Sequence, residues 1–238
     1  MHIHPMLIGA GLLIVQSVVP PVTGAAITQC HQSTATLPKS STISYQSNAL
    51  TLTCRQSART AASDDGTLSP EEAKKEVGEV AQAAIIAIKN KDTKALQQLV
   101  HPAKGIRFTP YASVDLIKNV VLRPAQLKDI FHNPTVLEWG VYDGRGDPIQ
   151  LTFNNYYNRF IFNRDFSNAE RVGYNEIVQQ GNSLSNIRQA YPNGVFVEYN
   201  FSKSPEGNEI GWSSLRLVFE KDKGAWALVG IIHDEWTI

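Results

Sequence analysis

The stretch SSLRLVFEKDKGAWALVGIIHDEW, residues 213–236, decides the fold, because apolar and polar residues alternate along most of it with a period of two. The tetrapeptide KDKG in its middle is typical of a hairpin turn. The segment GVFVEYNF, residues 194–201, shows the same alternation. The sequence therefore predicts three antiparallel strands in the last third of the chain.

Two helices are predicted to open the folded domain. The motif SPEEA at residues 69–73 combines an N-cap serine, a proline at the first helical position and a glutamate that completes a capping box. Apolar residues then recur at helical spacing from Val77 to Ile88, which indicates one buried stripe. A second, short helix is predicted after Asp92.

The middle of the chain is predicted to be mostly strand. Residues 105–111 and 135–142 have a β-rich composition, and a short helix is predicted between them after Pro124. Aromatic and apolar residues at helical spacing over residues 149–161 predict a third helix with an aromatic face. Together these elements predict an α+β domain over residues 69–238, with helices packed on one face of a curved antiparallel sheet.

The first 68 residues are predicted to lie outside this domain. Residues 1–25 have an uncharged apolar core followed by small residues, which is typical of a secretory signal peptide. This core is too short for a permanent membrane span. Residues 26–68 are rich in Ser and Thr and are interpreted as a leader or linker, in which Cys30 and Cys54 form one disulfide or remain two free thiols. The predicted location is secreted or periplasmic.

Charge and motifs exclude several classes of function. Lys plus Arg and Asp plus Glu each number 22, so nothing resembles the basic surface that nucleic acid selects. The sequence has no nucleophile elbow, Walker loop, dinucleotide fingerprint or zinc-ligand spacing. We therefore expect no nucleic-acid partner, no cofactor and no metal.

Alternation along the last strand predicts which of its residues share a face of the sheet. One face is predicted to carry the even-numbered residues from Trp226 to Trp236, and the other the odd-numbered residues from Ala227 to Glu235. His233 and Asp234 then point to opposite faces. They cannot form a catalytic dyad with each other.

Asp234 is the more informative of these two residues, since it lies among apolar residues on a face predicted to be buried. A desolvated carboxylate either pairs with a cation or has a raised pKa, and both situations occur in pockets. Arg216 on the neighbouring strand is the predicted partner, and Glu198 could join the pair. The alternative is that the strand ends fray and these groups are solvated.

The predicted pocket lies between the aromatic helix and the terminal strands. Tyrosine hydroxyls of that helix could reach into a cavity, although an aromatic stripe is equally expected in a core. The ligand-binding candidates are Trp139, Tyr156, Tyr157, Arg216, Asp234 and Trp236. If the protein is an enzyme, Asp234 or His233 is the predicted acid–base group. A lone histidine at a sheet edge is otherwise structural.

Several sequence blocks carry a resemblance to known proteins. HPAKGIRFTPY, EWGVYDGRGDPI, FNNYYNRFIF and LVGIIHDEWTI resemble blocks shared, in this order, by a group of uncharacterised secreted bacterial proteins. The order of helices and strands also resembles the NTF2-like (cystatin-like) cone fold. That resemblance implies a pocket between helices and sheet, and a role as a small isomerase or hydrolase, a ligand-binding module or a dimerisation domain.

Three hypotheses for function follow. The first is an exported, non-enzymatic domain that binds a small ligand or an envelope component in an NTF2-like pocket. The second is a small acid–base enzyme of the same fold. The third is a protein-interaction module, for which a homodimer is one arrangement left open.

Overall fold

The computed structural model of the protein describes residues 67–237. The predicted signal peptide, most of the leader, Cys30 and Cys54 lie outside the described residues, so their predictions stay untested. Among residues 67–237, no helix is both long enough and apolar enough to cross a bilayer.

The two opening helices are confirmed. Helix α1 (Pro70–Lys89) begins with the predicted capping box, in which the Ser69 hydroxyl accepts from the Glu72 backbone amide and the Ser69 amide donates to the Glu72 carboxylate at 2.9 Å. Helix α2 (Thr93–Leu99) is capped by Asp92, whose side chain accepts from the amide of Ala95. Local hydrogen bonding therefore fixes where each helix begins.

Eight strands follow in the described part of the chain. They are β1 (Ile106–Thr109), β2 (Val121–Leu122), β3 (Val136–Val141), β4 (Pro148–Thr152), β5 (Arg171–Tyr174), β6 (Val195–Phe201), β7 (Ser213–Asp222) and β8 (Ala225–Glu235). Six of them form one sheet in the order β2-β1-β8-β7-β6-β5, and β3 and β4 form a separate hairpin. Neighbouring strands are antiparallel except for β1 and β8, which run parallel, so the sheet is mixed where an antiparallel one was predicted.

The third predicted helix is only partly correct. Residues 148–152 form strand β4, paired with β3, and helix α3 (Phe153–Tyr156) begins after Thr152, whose hydroxyl accepts from the amide of Asn155. A wider π-helical turn, Tyr157–Ile161, continues it. Pairing with β3 overrides the helical spacing of the first residues. A short helix α4 (Ile187–Ala190) and 3-10 turns at Pro124–Leu127, Ile130–His132, Phe166–Asn168 and Glu209–Gly211 complete the described elements.

The β7–β8 hairpin is confirmed but contains a bulge. Val218 pairs with Gly230 and Phe219 with Leu228, which leaves Val229 as an extra residue on β8. The bulge breaks the predicted alternation, so Leu228 shares a face with Ile231 rather than with Gly230. The predicted grouping of the even-numbered residues is therefore wrong before the bulge.

The sheet has two different faces, which we call the inner face and the outer face. The inner face packs against α1, α2 and α3 and holds the main apolar core. The outer face carries a second, smaller apolar cluster beneath residues 112–119 and α4; this cluster contains Val114, Ile187, Tyr191, Phe196, Val218, Val229 and Ile232. The predicted α+β class, with its long helices on one face of the sheet, is confirmed.

Candidate functional site

The aromatic residues predicted to line a pocket fill the inner face instead. Trp139 stacks on Tyr156 with 4.0 Å between ring centroids, and Phe108 meets the Trp139 ring edge-on at 5.7 Å. The Trp139 indole N–H donates to the carbonyl of Leu151 at 2.8 Å. Trp139 and Tyr156 are both buried. They form part of a packed aromatic core.

Tyr157 is also committed to the core. Its hydroxyl donates to the carbonyl of Ile88 at 2.9 Å, which ties the aromatic segment to α1. The cavity beside it, which Phe108 and Ile231 also line, has a volume of about 20 Å³. That volume admits one water molecule at most. The inner face offers no room for a ligand at this position.

Arg216 and Asp234 lie on the outer face, where Arg216 joins two carboxylates. Its Nε donates to Glu198 Oε2 at 2.8 Å and its Nη2 to Asp234 Oδ2 at 2.9 Å. The side chains of Arg216 and Glu198 are 0% exposed and that of Asp234 is 2% exposed. We call these three residues the Arg216 network. The predicted pair and its third member are confirmed, and the alternative of solvated strand ends is not.

The strand register explains how the Arg216 network forms. Glu198 and Arg216 lie directly opposite each other on β6 and β7, and Asp234 lies on β8 opposite Ser214, diagonal to Arg216. Residues that are opposite or diagonal on one face are within reach of long side chains. The backbone of residues 178–179 closes the network from above, with both amides donating to Glu198 and the carbonyl of Gln179 accepting from Arg216.

The electrostatics of the Arg216 network follow from its burial. Burial raises the pKa of Asp234, although the Arg216 guanidinium opposes the shift. Burial alone would lower the pKa of Arg216, but Glu198 and Asp234 outweigh it and raise that pKa. Two carboxylates share one guanidinium, and a buried ion cluster of this kind depends on each member for compensation.

His233 lies on the inner face, as alternation predicts. Its ring meets Phe160 edge-on at 5.9 Å, and its Nε2 lies 3.2 Å from Glu235 Oε2. Glu235 also accepts from Arg159. Burial alone would raise the pKa of Glu235, but the hydrogen bonds and charges of His233 and Arg159 lower it to about 2. Because His233 lies on the inner face and Asp234 on the outer face, the sheet separates the two side chains.

The six predicted ligand-binding residues do not meet in one place. Trp139, Tyr156 and Tyr157 lie in the inner core, Arg216 and Asp234 lie in the outer-face network, and Trp236 follows the end of β8 with 45% of its surface exposed. The sheet stands between the first two groups. No single ligand can contact all six residues.

A larger cavity lies on the outer face, beside β1, β2 and α4. Its volume is about 360 Å³, which is within the range of small-molecule sites. Its polar lining consists of Lys104, Arg107, Arg123, Tyr191 and Glu220. We call this the outer-face cavity. Sequence reasoning missed it, although Arg107 between two apolar residues of the segment GIRFTPY signals a charged group on one face of a strand.

Tyr191 is the most unusual group in the outer-face cavity. Its side chain is buried, with 8% of the residue exposed, and its hydroxyl has no hydrogen-bond partner among the described residues. Gly230 leaves the space that the Tyr191 hydroxyl occupies, since a β-carbon at residue 230 would lie 2.7 Å from the hydroxyl oxygen. Burial raises the pKa of Tyr191 to about 12, although the charge of Arg107 opposes the shift. The hydroxyl therefore stays protonated at neutral pH.

Arg107 is held in place by neutral groups. Its Nη1 donates to the carbonyls of Asp115 and Asn119, at 3.3 and 3.2 Å, so it anchors the loop that covers this part of the outer face. Asn119 fixes the same loop by accepting from the hydroxyl of Thr109 and from the Asp115 amide. Arg107 is thus positioned without a carboxylate partner.

No site for a metal is evident in residues 67–237, where no group of three or more His, Cys, Asp or Glu side chains has a suitable arrangement. The two carboxylates of the Arg216 network are bridged by a guanidinium.

Comparison with known proteins finds similarity at the level of the fold only. No protein-family model and no curated protein matches the chain. Among solved structures, the chain is similar to an uncharacterised protein with a cystatin-like fold from Caulobacter vibrioides. The TM-score is 0.31 and the identity 11%, over 69% of this chain and 89% of that chain.

The chain is also similar to a substituted form of a protein named Rd1NTF2_05. Here the TM-score is 0.29 and the identity 12%, over 66% of this chain and 93% of that chain. The chain's own architecture, a mixed sheet with its long helices on one face, is of the α+β class. Membership of the secreted bacterial group remains a prediction from the sequence.

Proposed function

We propose that the domain is a non-enzymatic binding module and that it takes a small ligand, or a group of an envelope component, in the outer-face cavity. The observation that carries this proposal is the buried hydroxyl of Tyr191, which lines the cavity and makes no hydrogen bond of standard geometry to the described residues, although Arg107 lies near enough to interact with it. An unpaired buried hydroxyl costs about 1–3 kcal/mol, and a bound ligand would supply its missing hydrogen bond.

The geometry gives less support to the other two hypotheses. Asp234 is enclosed in the Arg216 network and His233 is buried against Phe160, and neither lines a cavity described above. An acid–base enzyme needs its acid within reach of substrate. The interaction module would need a contiguous apolar surface, whereas the exposed apolar side chains are spread over several segments of the described chain, such as those of Ile117, Leu184 and Ile210.

The proposal is tested by blocking the cavity. The purified full-length chain is screened against a fragment library by ligand-detected NMR, and the hits are repeated with Ala103→Trp, which places a large side chain at the cavity wall. The matched control is Ala83→Trp, at an exposed position of α1. We expect hits that bind the wild type and the control and lose binding to Ala103→Trp. Equal binding to all three chains would contradict the proposal.

Export is a separate part of the proposal and rests on the sequence of residues 1–25. Expression of the full-length chain in a bacterial host, followed by intact-mass measurement of the periplasmic fraction, should give a product cleaved after Ala25 or Ala26. A mass two units below that of the reduced form would support a Cys30–Cys54 disulfide. An uncleaved chain confined to the cytoplasm would argue against export.

A further inference from the structure

The outer-face cavity has an excess of positive charge. It is lined by three cations, Lys104, Arg107 and Arg123, and by one carboxylate, that of Glu220. Glu220 is buried and pairs with Lys104. In the described part of the chain, no other carboxylate lies within ion-pair distance of these three cations. Arg107 and Arg123 therefore have no ion-pair partner among the described residues, although the Asp115 carboxylate acts on Arg107 at longer range.

Tyr191 adds a neutral donor beside these cations. Its protonated hydroxyl lines the same cavity as the Arg107 guanidinium, and the two groups are close enough for the charge of Arg107 to influence the hydroxyl. An anionic oxygen accepts from both kinds of donor, and such charge-assisted hydrogen bonds are stronger than neutral ones. A carboxylate or a phosphate thus fits the polar wall.

The remaining wall of the cavity is apolar. Leu116, Val121 and Val229 line it, and Leu116 leaves 55% of its surface exposed. The next residue in the same loop, Ile117, is 94% exposed. Apolar surface next to a charged wall favours a ligand with both characters, because an inorganic anion would leave this part of the cavity unused.

We infer that the outer-face cavity binds an anionic amphiphile, in which a carboxylate or phosphate head contacts Arg107, Arg123 and Tyr191 and a short alkyl chain lies against Leu116. This inference rests on the proposed function and narrows it to a class of ligand. The head group is shared by fatty acids and by alkyl phosphates, and the experiment separates these two sources.

The test uses four probes that differ in one property each. Octanoate, octyl phosphate, octanol and inorganic phosphate are titrated into the full-length chain by isothermal titration calorimetry at low ionic strength. We expect octanoate or octyl phosphate to bind roughly tenfold tighter than both octanol and inorganic phosphate, because only these two probes carry head and chain together. The better of the two identifies the head. Binding should weaken as salt rises from about 0.02 M to about 0.3 M.

Two charge-removing variants distinguish binding in the cavity from general attraction to a positive surface. Arg123→Met removes an exposed cation that lines the cavity, and Lys118→Met removes an exposed cation of the covering loop that does not. We expect Arg123→Met to weaken binding of the anionic amphiphile roughly tenfold and Lys118→Met to leave it unchanged. Tyr191→Phe, which keeps the ring, should also weaken it.

Four outcomes would overturn the inference. If octanol binds as tightly as octanoate, the anionic head contributes nothing to affinity. If inorganic phosphate binds as tightly as octyl phosphate, the apolar chain contributes nothing. Equal losses in Arg123→Met and Lys118→Met would show general charge attraction and no site. If all four probes fail while neutral fragments still bind the wild type and lose binding to Ala103→Trp, the amphiphile is wrong and the binding module stands. If those fragments fail as well, the proposed function is wrong.

Discussion

The two faces of the sheet bury their residues by different means. On the inner face, Trp139 and Tyr156 pack ring against ring, and the contact is apolar apart from an indole N–H that donates to a carbonyl. On the outer face, Arg216 and Glu198 are as fully buried as Trp139, yet they are charged. Burial alone therefore does not indicate an apolar site, and the partner of each buried group decides what that group contributes.

This comparison predicts that the largest loss of stability comes from the outer face. Arg216→Met leaves Glu198 and Asp234 buried without a counter-charge, which should lower the free energy of unfolding by about 4–5 kcal/mol at pH 7. The loss should shrink as the pH falls to about 4, because protonation neutralises the Asp234 carboxylate, whose pKa is raised by burial. Urea denaturation at the two pH values measures both effects.

Two variants control this experiment. Arg123→Met removes an exposed arginine and should change stability by less than about 0.5 kcal/mol. The triple variant R216M/E198Q/D234N removes all charges of the Arg216 network and should recover much of the stability. A triple variant as unstable as Arg216→Met would show that packing, and not charge, is what the arginine provides.

On the inner face, Trp139→Ala should lower the free energy of unfolding by about 3–4 kcal/mol, because it leaves a cavity among Phe108 and Tyr156. The loss should be nearly the same at pH 4 and pH 7, since no charge is involved. Trp139→Phe should cost less. A strong pH dependence of the Trp139→Ala effect would contradict the separation of the two faces.

The contribution of Glu235 to the stability of the inner face can be measured by varying the pH alone. Its folded pKa of about 2 lies below the value of 4.5 for a free glutamate, so its stabilising effect is present above about pH 4.5 and is lost as the pH falls towards 2. Because Arg159 is partly exposed, we expect a contribution of about 2 kcal/mol. Glu235→Gln should flatten the acid limb of a stability–pH curve. An unchanged acid limb would argue against this ion pair.

Asp234 should show the opposite sign and the smallest effect. Its folded pKa is raised, so its stabilising effect is present below the pKa of the unfolded chain and is lost as the pH rises through the folded pKa. Asp234→Asn still accepts from Arg216 and removes the buried charge. We expect its stability at pH 7 to lie within about 1 kcal/mol of the wild type, measured by urea denaturation. A loss as large as that of Arg216→Met would contradict this account.

Short-range patterns predicted much of the fold. The capping box at Ser69 and the hairpin turn at residues 221–224 each depend on a few neighbouring residues, and both are confirmed. The Val229 bulge and the parallel pairing of β1 with β8 are not local, because they depend on which strands lie side by side. Alternation therefore failed at residue 228 and held at residues 233 and 234.

The candidate site was less predictable for the same reason. Arg216 and Asp234 were paired from strand order alone, and the structure confirms that pair. The aromatic residues gave no sign of whether they would line a cavity or fill it, since both arrangements use the same apolar spacing. Tyr191 directly follows the short helix α4, and only tertiary packing brings it over Gly230. No sequence pattern marks such an encounter.

The parallel pairing of β1 with β8 also bears on when the protein can fold. β8 lies in the middle of the sheet, yet it is the last of the eight described strands to be synthesised. Arg107 on β1 can pair with Gly230 on β8 only after roughly 120 further residues have been made. Without β8, the strands β1 and β2 have no connection to β7, β6 and β5, so the sheet cannot be completed. The export that we propose from the sequence of residues 1–25 would be compatible with this order, because the domain cannot complete its sheet until its last strand has been made.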